Sequence, residues 1–315
     1  MTSLIACGTY RKESALEFQH AEDGSMAADI SADAKISVVS SIDLGLLVWD
    51  LEFNQKVYQW GYKGDGETIN LVSTVKIASD TSYVVSADRE SFAIWNLENG
   101  EPDGFWRIDE STIRDVAIAD KGTTVLVGRS NGKVLMLEPF TGRRLEFLGH
   151  TERINSVDIS PNGYYALTGG NDYVAYLWDT RTGQVVYRFD HPSRVTKVAL
   201  DPKGRYLFTA DSQKTARIWD VQTGEEVSTL QFIQRQIIFS AVQFSEDGTR
   251  LLTGSPNRLL ALWDVKTGKK LNGWRVKPND KAMGNSAIVY GVGFYGDNQV
   301  ISESSSGWAE IWDIQ

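Results

Sequence analysis

Histidine is the side chain with which an enzymatic interpretation of this chain would begin, because its pKa allows proton transfer near neutral pH. The 315 residues include three histidines, His20, His150 and His191. Each lies 28 or 29 residues ahead of a tryptophan, respectively Trp49, Trp178 and Trp219. A constant distance to a tryptophan indicates one position of a repeated unit, so the histidines are not three parts of one active site.

The other reactive patterns are weak. Acidic pairs such as Asp109-Glu110, or Asp297 near Glu303, have no partner fixed by the sequence, and 41 acidic residues make such pairs frequent by chance. There is no glycine-rich phosphate loop, nucleophile elbow or metal-spaced cluster of His, Asp and Glu. One cysteine excludes an internal disulfide and a cysteine zinc cluster. The sequence therefore predicts no catalytic residue, no metal and no cofactor.

The elements that position the histidines are short strands. From His150 to Asp179, apolar runs at 154–159, 164–167 and 174–178 are separated by the turn clusters 160–163 and 169–172, rich in Pro, Asn and Gly. A further turn at 180–183 leads into a fourth alternating run at 184–189. This pattern predicts a meander of four antiparallel strands.

The same unit recurs along the whole chain with spacings of 41–49 residues. The third strands end at Trp49-Asp50, Trp95-Asn96, Leu137-Glu138, Trp178-Asp179, Trp219-Asp220, Trp263-Asp264 and Trp312-Asp313. The chain resembles the WD-repeat β-propeller family, in which each repeat of roughly 40–45 residues supplies one four-stranded blade. The resemblance implies one all-β domain, a propeller of seven four-stranded antiparallel blades. The ten tryptophans, which could suggest an aromatic ligand site, fall at repeat positions and are expected to pack between blades.

Both ends of the chain are expected to meet in one blade. Residues 15–20 resemble the fourth strand of blade three, residues 145–150, including its final histidine, whereas the last copy ends after its third strand. The N-terminal strand should therefore complete the last blade and leave the ring without a free edge. This predicts a propeller over residues 15–315 and a tail over residues 1–14.

The tail contains Leu4-Ile5-Ala6-Cys7-Gly8, which looks like the lipobox at which bacterial lipoproteins are cleaved and acylated on cysteine. The charged start and most of the apolar segment of a signal peptide are lacking. Two interpretations stay open. Either the true start lies upstream, Cys7 is lipidated and the protein is attached to the cell envelope, or Cys7 is an ordinary thiol of a cytoplasmic protein.

The resemblance also assigns the histidines to the family's buried hydrogen-bond relay. In blade four the relay would run from Trp178 to Thr168, from Thr168 to His150, and from His150 to Asp172. Blade five has Thr209 and His191, but Gln213 stands where the aspartate belongs. This role pairs buried polar groups within a blade and is preferred over catalysis.

Charge and fold together favour a protein partner. The formal net charge of −9 disfavours binding to nucleic acid, which needs a basic surface, and no apolar run approaches the ~20 residues of a membrane span. We expect a non-catalytic protein-interaction scaffold that is monomeric alone, with a membrane reached only through Cys7. The alternative is a propeller enzyme or small-ligand receptor that uses the central channel.

The resemblance finally points to one face. In the family, residues just after the relay histidine line the channel mouth that most often binds partners. The positions three and five residues after His150 predict a partner-binding set of Arg114, Arg153, Asn155, Arg194, Thr196 and Tyr290. Arginine forks suit carboxylates, so an acidic peptide is expected across blades three to five. The competing interpretation is that the arginines neutralise nearby acids such as Asp115 and Glu152.

Overall fold

The computed structural model describes residues 13–61, 72–232, 238–278 and 286–314. These residues form 28 strands, arranged as seven four-stranded antiparallel sheets, and a single turn of 3-10 helix at Asp120–Gly122. The predicted seven-bladed all-β propeller is confirmed. Within the described ranges no helix has the length and apolar character needed to cross a membrane. Cys7 lies outside the described residues, so lipidation stays a prediction.

The blades follow one another along the chain. Blade one contains β2 (Ser25–Ile30), β3 (Ile36–Ser41), β4 (Gly45–Asp50) and β5 (Gln55–Trp60). Blade two contains β6 (Thr74–Ile77), β7 (Tyr83–Ala87), β8 (Ser91–Asn96) and β9 (Pro102–Arg107). Blade three contains β10 (Ile113–Ile118), β11 (Val125–Arg129), β12 (Val134–Leu137) and β13 (Arg144–Phe147).

Blade four contains β14 (Ile154–Ile159), β15 (Tyr165–Gly170), β16 (Val174–Asp179) and β17 (Val185–Asp190). Blade five contains β18 (Val195–Leu200), β19 (Tyr206–Asp211), β20 (Ala216–Asp220) and β21 (Glu226–Thr229). Blade six contains β22 (Ala241–Phe244), β23 (Arg250–Gly254), β24 (Leu259–Asp264) and β25 (Lys270–Arg275). Blade seven contains β26 (Val289–Tyr295), β27 (Gln299–Ser304), β28 (Trp308–Asp313) and, as its outer strand, β1 (Leu16–Gln19).

The pairing of β1 with β28 confirms the predicted closure. The register runs antiparallel from Leu16 opposite Ile311 to Gln19 opposite Trp308. Directly after β1, the backbone N–H of His20 donates to the carbonyl of Gly307, the residue that precedes β28, at 2.9 Å. Gly307 has a φ of 79°, and a Cβ there would lie 1.8 Å from the Ala21 carbonyl oxygen, so only glycine allows this close approach.

Aromatic rings connect most neighbouring blades. A ring at the end of an outer strand stacks or tilts against the third-strand tryptophan of the following blade, which buries both apolar faces. The pairs and their centroid distances are Trp60–Trp95 (4.8 Å), Phe147–Trp178 (4.5 Å), Phe189–Trp219 (4.6 Å) and Trp274–Trp312 (6.3 Å). At the closure His20 takes this place and stacks on Trp49 at 4.4 Å.

The first strand of each blade forms the channel wall. Side-chain carboxylates on these strands accept backbone N–H groups of the next blade: Asp29 from Ile77 at 2.9 Å, Asp115 from Val157 at 3.0 Å, and Asp158 from Leu200 at 2.7 Å. The donors would otherwise face the channel without a partner. These bonds hold successive first strands in a defined register around the channel.

Candidate functional site

The three histidines lie in the protein interior. Their side chains have no solvent exposure, so none of them faces the channel or the surface in a position to meet a substrate. Among the described residues no group of three His, Cys, Asp or Glu side chains converges as a metal ion would require. The channel and its mouths are therefore the places in which to look for a functional site.

Blade four brings together three of the four predicted relay residues. His150 Nε2 lies 3.0 Å from Thr168 Oγ1, and Nδ1 lies 2.9 Å from the Asp172 carboxylate. Burial raises the pKa of Asp172, but the hydrogen bond and charge of His150 outweigh this and the net pKa is lowered. The indole nitrogen of Trp178 is buried and has no hydrogen-bond partner in the described part of the chain. The expected donation from Trp178 to Thr168 is therefore not made.

Blade five makes the bond that blade four lacks. Trp219 Nε1 donates to Thr209 Oγ1 at 2.9 Å, and His191 Nε2 lies 2.9 Å from the same oxygen. The acid facing His191 is Asp211, not a residue at position 213, and its carboxylate lies 3.6 Å from Nδ1, beyond hydrogen-bond distance. Burial lowers the pKa of His191, which Asp211 only partly offsets, so the imidazole is neutral near pH 7.

His20 holds the closure. Its Nδ1 lies 2.6 Å from Glu303 Oε1 on β27, and its Nε2 lies 3.0 Å from Asn54 Oδ1 in blade one. Burial lowers the pKa of His20, but the Glu303 carboxylate and the two hydrogen bonds reverse this and raise it. Ser37 of blade one donates to the same Glu303 oxygen at 2.7 Å. One buried carboxylate thus joins the N-terminal segment, blade seven and blade one.

The channel contains two lysines in different electrostatic situations. Lys76 Nζ lies 3.1 Å from Asp29, and although burial lowers its pKa, the carboxylates around it raise the pKa above the ordinary value. Lys197 has no ion pair within the described ranges, and burial lowers its pKa in spite of Asp115 and Asp158 nearby. Both of those carboxylates are already used as acceptors of backbone N–H groups.

The predicted arginines lie at the end of the channel where the first strands begin. Arg114 and Arg194 are exposed, and Arg153 is partly buried with an Nε that has no hydrogen-bond partner among the described residues. Sequence reasoning missed Arg89, whose carbonyl accepts the N–H of Ile113 at 2.8 Å and which therefore lies beside Arg114. We call this end of the channel, with Arg89, Arg114, Arg153 and Arg194, the arginine mouth.

Electrostatic coupling joins three of these cations, Arg89, Arg114 and Arg153. Burial lowers the pKa of Arg114, and repulsion from Arg153 and Arg89 lowers it further, while Asp115 acts in the opposite direction. None of the four arginines forms an ion pair within the described part of the chain. A run of unpaired cations is a surface that attracts anions.

The remaining predicted residues line a cavity of about 210 Å³ just inside the arginine mouth. Asn155 is held by Asn171 Oδ1 at 2.9 Å and the Val195 carbonyl at 2.7 Å, so it connects blades four and five. Thr196 donates to the Ala210 carbonyl at 3.3 Å. Tyr290 comes from blade seven on the other side of the channel. We call this space the mouth cavity; Arg114, Asp115 and Lys197 also line it.

Comparison with known proteins agrees with the fold. The family described as WD domain, G-beta repeat, matches residues 142–179, 183–220 and 226–264. Each matched segment runs from the outer strand of one blade to the third strand of the next, the same overlap that closes the ring. No curated protein matches the chain. Three WD40 repeats within a seven-bladed propeller are consistent with the WD-repeat β-propeller family. Propellers of this class are typically protein-interaction scaffolds without catalytic activity.

Proposed function

We propose that this protein is a non-catalytic interaction platform whose arginine mouth binds an acidic segment of a protein partner. The observation that carries the proposal is the run of four arginines without ion pairs on a chain whose net charge is −9. A guanidinium group offers paired N–H donors that match a carboxylate, and this geometry favours acidic side chains in an extended peptide.

Arginines elsewhere on the surface differ from those of the arginine mouth, and the difference supports this interpretation. Elsewhere the chain pairs its arginines with acids, as in Arg107–Glu90, Arg129–Glu146, Arg143–Glu138, Arg181–Asp179, Arg188–Asp190, Arg205–Asp201 and Arg217–Glu226. Within the described ranges Arg144 and Arg250 also lack an ion pair, but they stand singly on blades three and six, whereas the arginine mouth gathers four such side chains at one end of the channel. Simple neutralisation by nearby acids is disfavoured, because neither Asp115 nor Glu152 forms an ion pair with these arginines in the described part of the chain. Asp115 instead accepts hydrogen bonds from two backbone N–H groups and the Thr74 hydroxyl.

The alternative function, an enzyme that uses the channel, has less support. Catalysis at the channel would need a general base or nucleophile that faces it, and the histidines are buried against Thr168, Thr209 and Glu303 instead. The carboxylates of the channel wall accept backbone N–H groups of the next blade, which gives them a structural role between blades.

Charge reversal at the mouth tests the proposal. In affinity capture from native cells, the double variant Arg153→Glu, Arg194→Glu should lose the partner, while the melting temperature changes little because neither side chain is ion-paired. The matched control is Arg181→Glu, Arg188→Glu, which makes the same change in net charge on blade four but breaks only surface ion pairs worth little.

The recovered proteins decide the outcome. Partners that are captured by the wild type and the control, are lost from the mouth variant, and carry a run of Asp and Glu support the proposal. Recovery of the same proteins by the mouth variant would exclude this face as the docking surface. The rate of association should also fall as the salt concentration rises, because salt at 0.1 M screens the attraction between exposed charges that are more than about 10 Å apart.

A further inference from the structure

We propose that the mouth cavity binds one anionic group, a carboxylate or a phosphate, between Lys197 and Arg114. This goes beyond the proposed docking surface, because the site lies inside the channel and accepts a free small anion as readily as an acidic side chain of a docked segment.

The first step is the size and lining of the cavity. Its volume of about 210 Å³ exceeds several times the roughly 30 Å³ that a water molecule occupies in the liquid, so a small anion fits together with water. The wall provides three kinds of donor: the guanidinium of Arg114, the ammonium of Lys197 and the hydroxyl of Tyr290. The hydroxyls of Ser73 and Ser240 already donate to backbone carbonyls. Such a lining suits oxygen-rich anions.

The second step is the balance of charge. Lys76 is neutralised by Asp29, and Asp115 and Asp158 are engaged by backbone N–H groups. Lys197 and Arg114 are left as cations without an ion pair in the described part of the chain. The cavity wall carries one carboxylate, Asp115, against the three cations Lys76, Lys197 and Arg114, so its charge balance stays positive.

The third step is the cost of burying Lys197 and Arg114 as cations. Burial lowers the pKa of Lys197 and of Arg114, which means that the positive form of each is destabilised where it stands. Lys76, in the same channel but paired with Asp29, shows the opposite shift. An anion between Lys197 and Arg114 would restore the charged form of Lys197, so binding should take up a proton at alkaline pH.

Residue-specific labelling of the intact protein tests this inference. Trace acetic anhydride acetylates neutral amines, and mass spectrometry reads each lysine separately. Lys197 should react at lower pH than the surface residue Lys203, which is paired with Glu246 and serves as the control in the same molecule. Inorganic phosphate at ten times its dissociation constant should slow acetylation of Lys197 about tenfold and leave Lys203 unchanged.

A variant and a second probe sharpen the test. Arg114→Gln should raise the phosphate concentration that gives half protection about tenfold, the effect of losing one charge-assisted hydrogen-bond pair. A capped hexaglutamate peptide in place of phosphate separates the sources. Protection by phosphate alone supports a free small anion, whereas protection by the peptide alone supports an acidic side chain of a docked segment.

The inference and the proposed function fail separately. In Arg153→Glu, Arg194→Glu the partner should be lost while phosphate still protects Lys197, because neither residue lines the cavity. If neither phosphate nor the peptide changes the acetylation rate of Lys197 relative to Lys203, the anion site does not exist, whatever the partner capture shows.

Discussion

Blade four and blade seven have the same four-stranded form but are assembled differently. Blade four is one continuous segment, and His150 finds its partners, Thr168 and Asp172, inside that segment. Blade seven is built from both ends of the chain, and His20, at the same repeat position, is bonded to Glu303 and Asn54. A histidine at the same repeat position therefore stabilises blade four through contacts within that blade, and in blade seven connects three separate segments of the chain.

The two blades also differ in buried charge. In blade four the side chain of Asp172, the acid beside the histidine, is 8% exposed, and its pKa is lowered. In blade seven Glu303 is fully buried, and Glu310 on β28 stands directly opposite Glu17 on β1. Lys277 contributes its side chain to Glu17 and its backbone N–H to Glu310 at 2.9 Å. The comparison teaches that the closure depends on buried acids and on residues from distant parts of the chain, whereas the histidine of blade four is bonded within its own blade.

The largest effect should come from removing β1. Deletion of residues 1–20 should leave β28 as an unpaired edge and remove the His20–Glu303 contact, giving aggregation or loss of a cooperative melt. Deletion of residues 1–12 is the matched control, since it keeps the whole strand. The measurement is light scattering together with thermal unfolding. A 1–20 deletion that stays monomeric and melts like the wild type would show that β1 is not what closes the ring.

A smaller effect should separate His20 from His150. In His20→Leu the fully buried Glu303 loses its cationic partner, which should cost about 3 kcal/mol. In His150→Leu the Thr168 hydroxyl loses one partner and Asp172 retains contact with solvent, so the cost should be about 1–2 kcal/mol. Urea unfolding of both variants gives the two values. Equal costs, or a larger cost for His150→Leu, would remove the distinction between the closure and an internal blade.

The third prediction concerns pH. Burial, assisted by Glu17, raises the pKa of Glu310 to about 7, although the Lys277 N–H and the charges of Lys277 and Arg258 act against this. The protonated form is therefore favoured in the folded state. Its contribution to stability is complete below about pH 4.5, decreases as pH rises, and is lost above pH 7.

The free energy of unfolding should fall by about 3 kcal/mol between pH 4.5 and 8 because of Glu310. This value follows from the shift of its pKa at 1.36 kcal/mol per pKa unit. Glu310→Gln should match the wild type at low pH and exceed it in stability at pH 8, whereas Glu246→Gln on the surface should not. The raised pKa of His20 acts in the same direction, but it is common to both proteins and cancels in the comparison. A constant difference between wild type and Glu310→Gln across this range would contradict the prediction.

Several features of the site were predictable from repeat register alone. Placing Arg114, Asn155 and Thr196 at corresponding positions of three first strands predicts that they share one end of the channel, and Arg114, Asn155 and Thr196 do line one cavity. Arg89 could have been found by the same reasoning, since it lies in the turn between the second and third strands of blade two, at the end of the channel where first strands begin. Lys197 could not, because an alternating strand does not show which charges have partners.

The sequence by itself predicted the fold of this protein, because seven spaced copies of one strand pattern resemble the WD-repeat family, whose members form closed rings of blades. Only the tertiary structure decided which polar groups meet. Asp211 faces His191 although the repeat pattern points to position 213. Trp178 does not donate to Thr168 as Trp219 donates to Thr209, and His20 contacts Glu303 at a separation of 283 residues. The physical reason is that the order of the strands follows from local alternation and turns. A side-chain hydrogen bond, in contrast, forms only when donor and acceptor lie about 3 Å apart, and the packing between blades sets that distance.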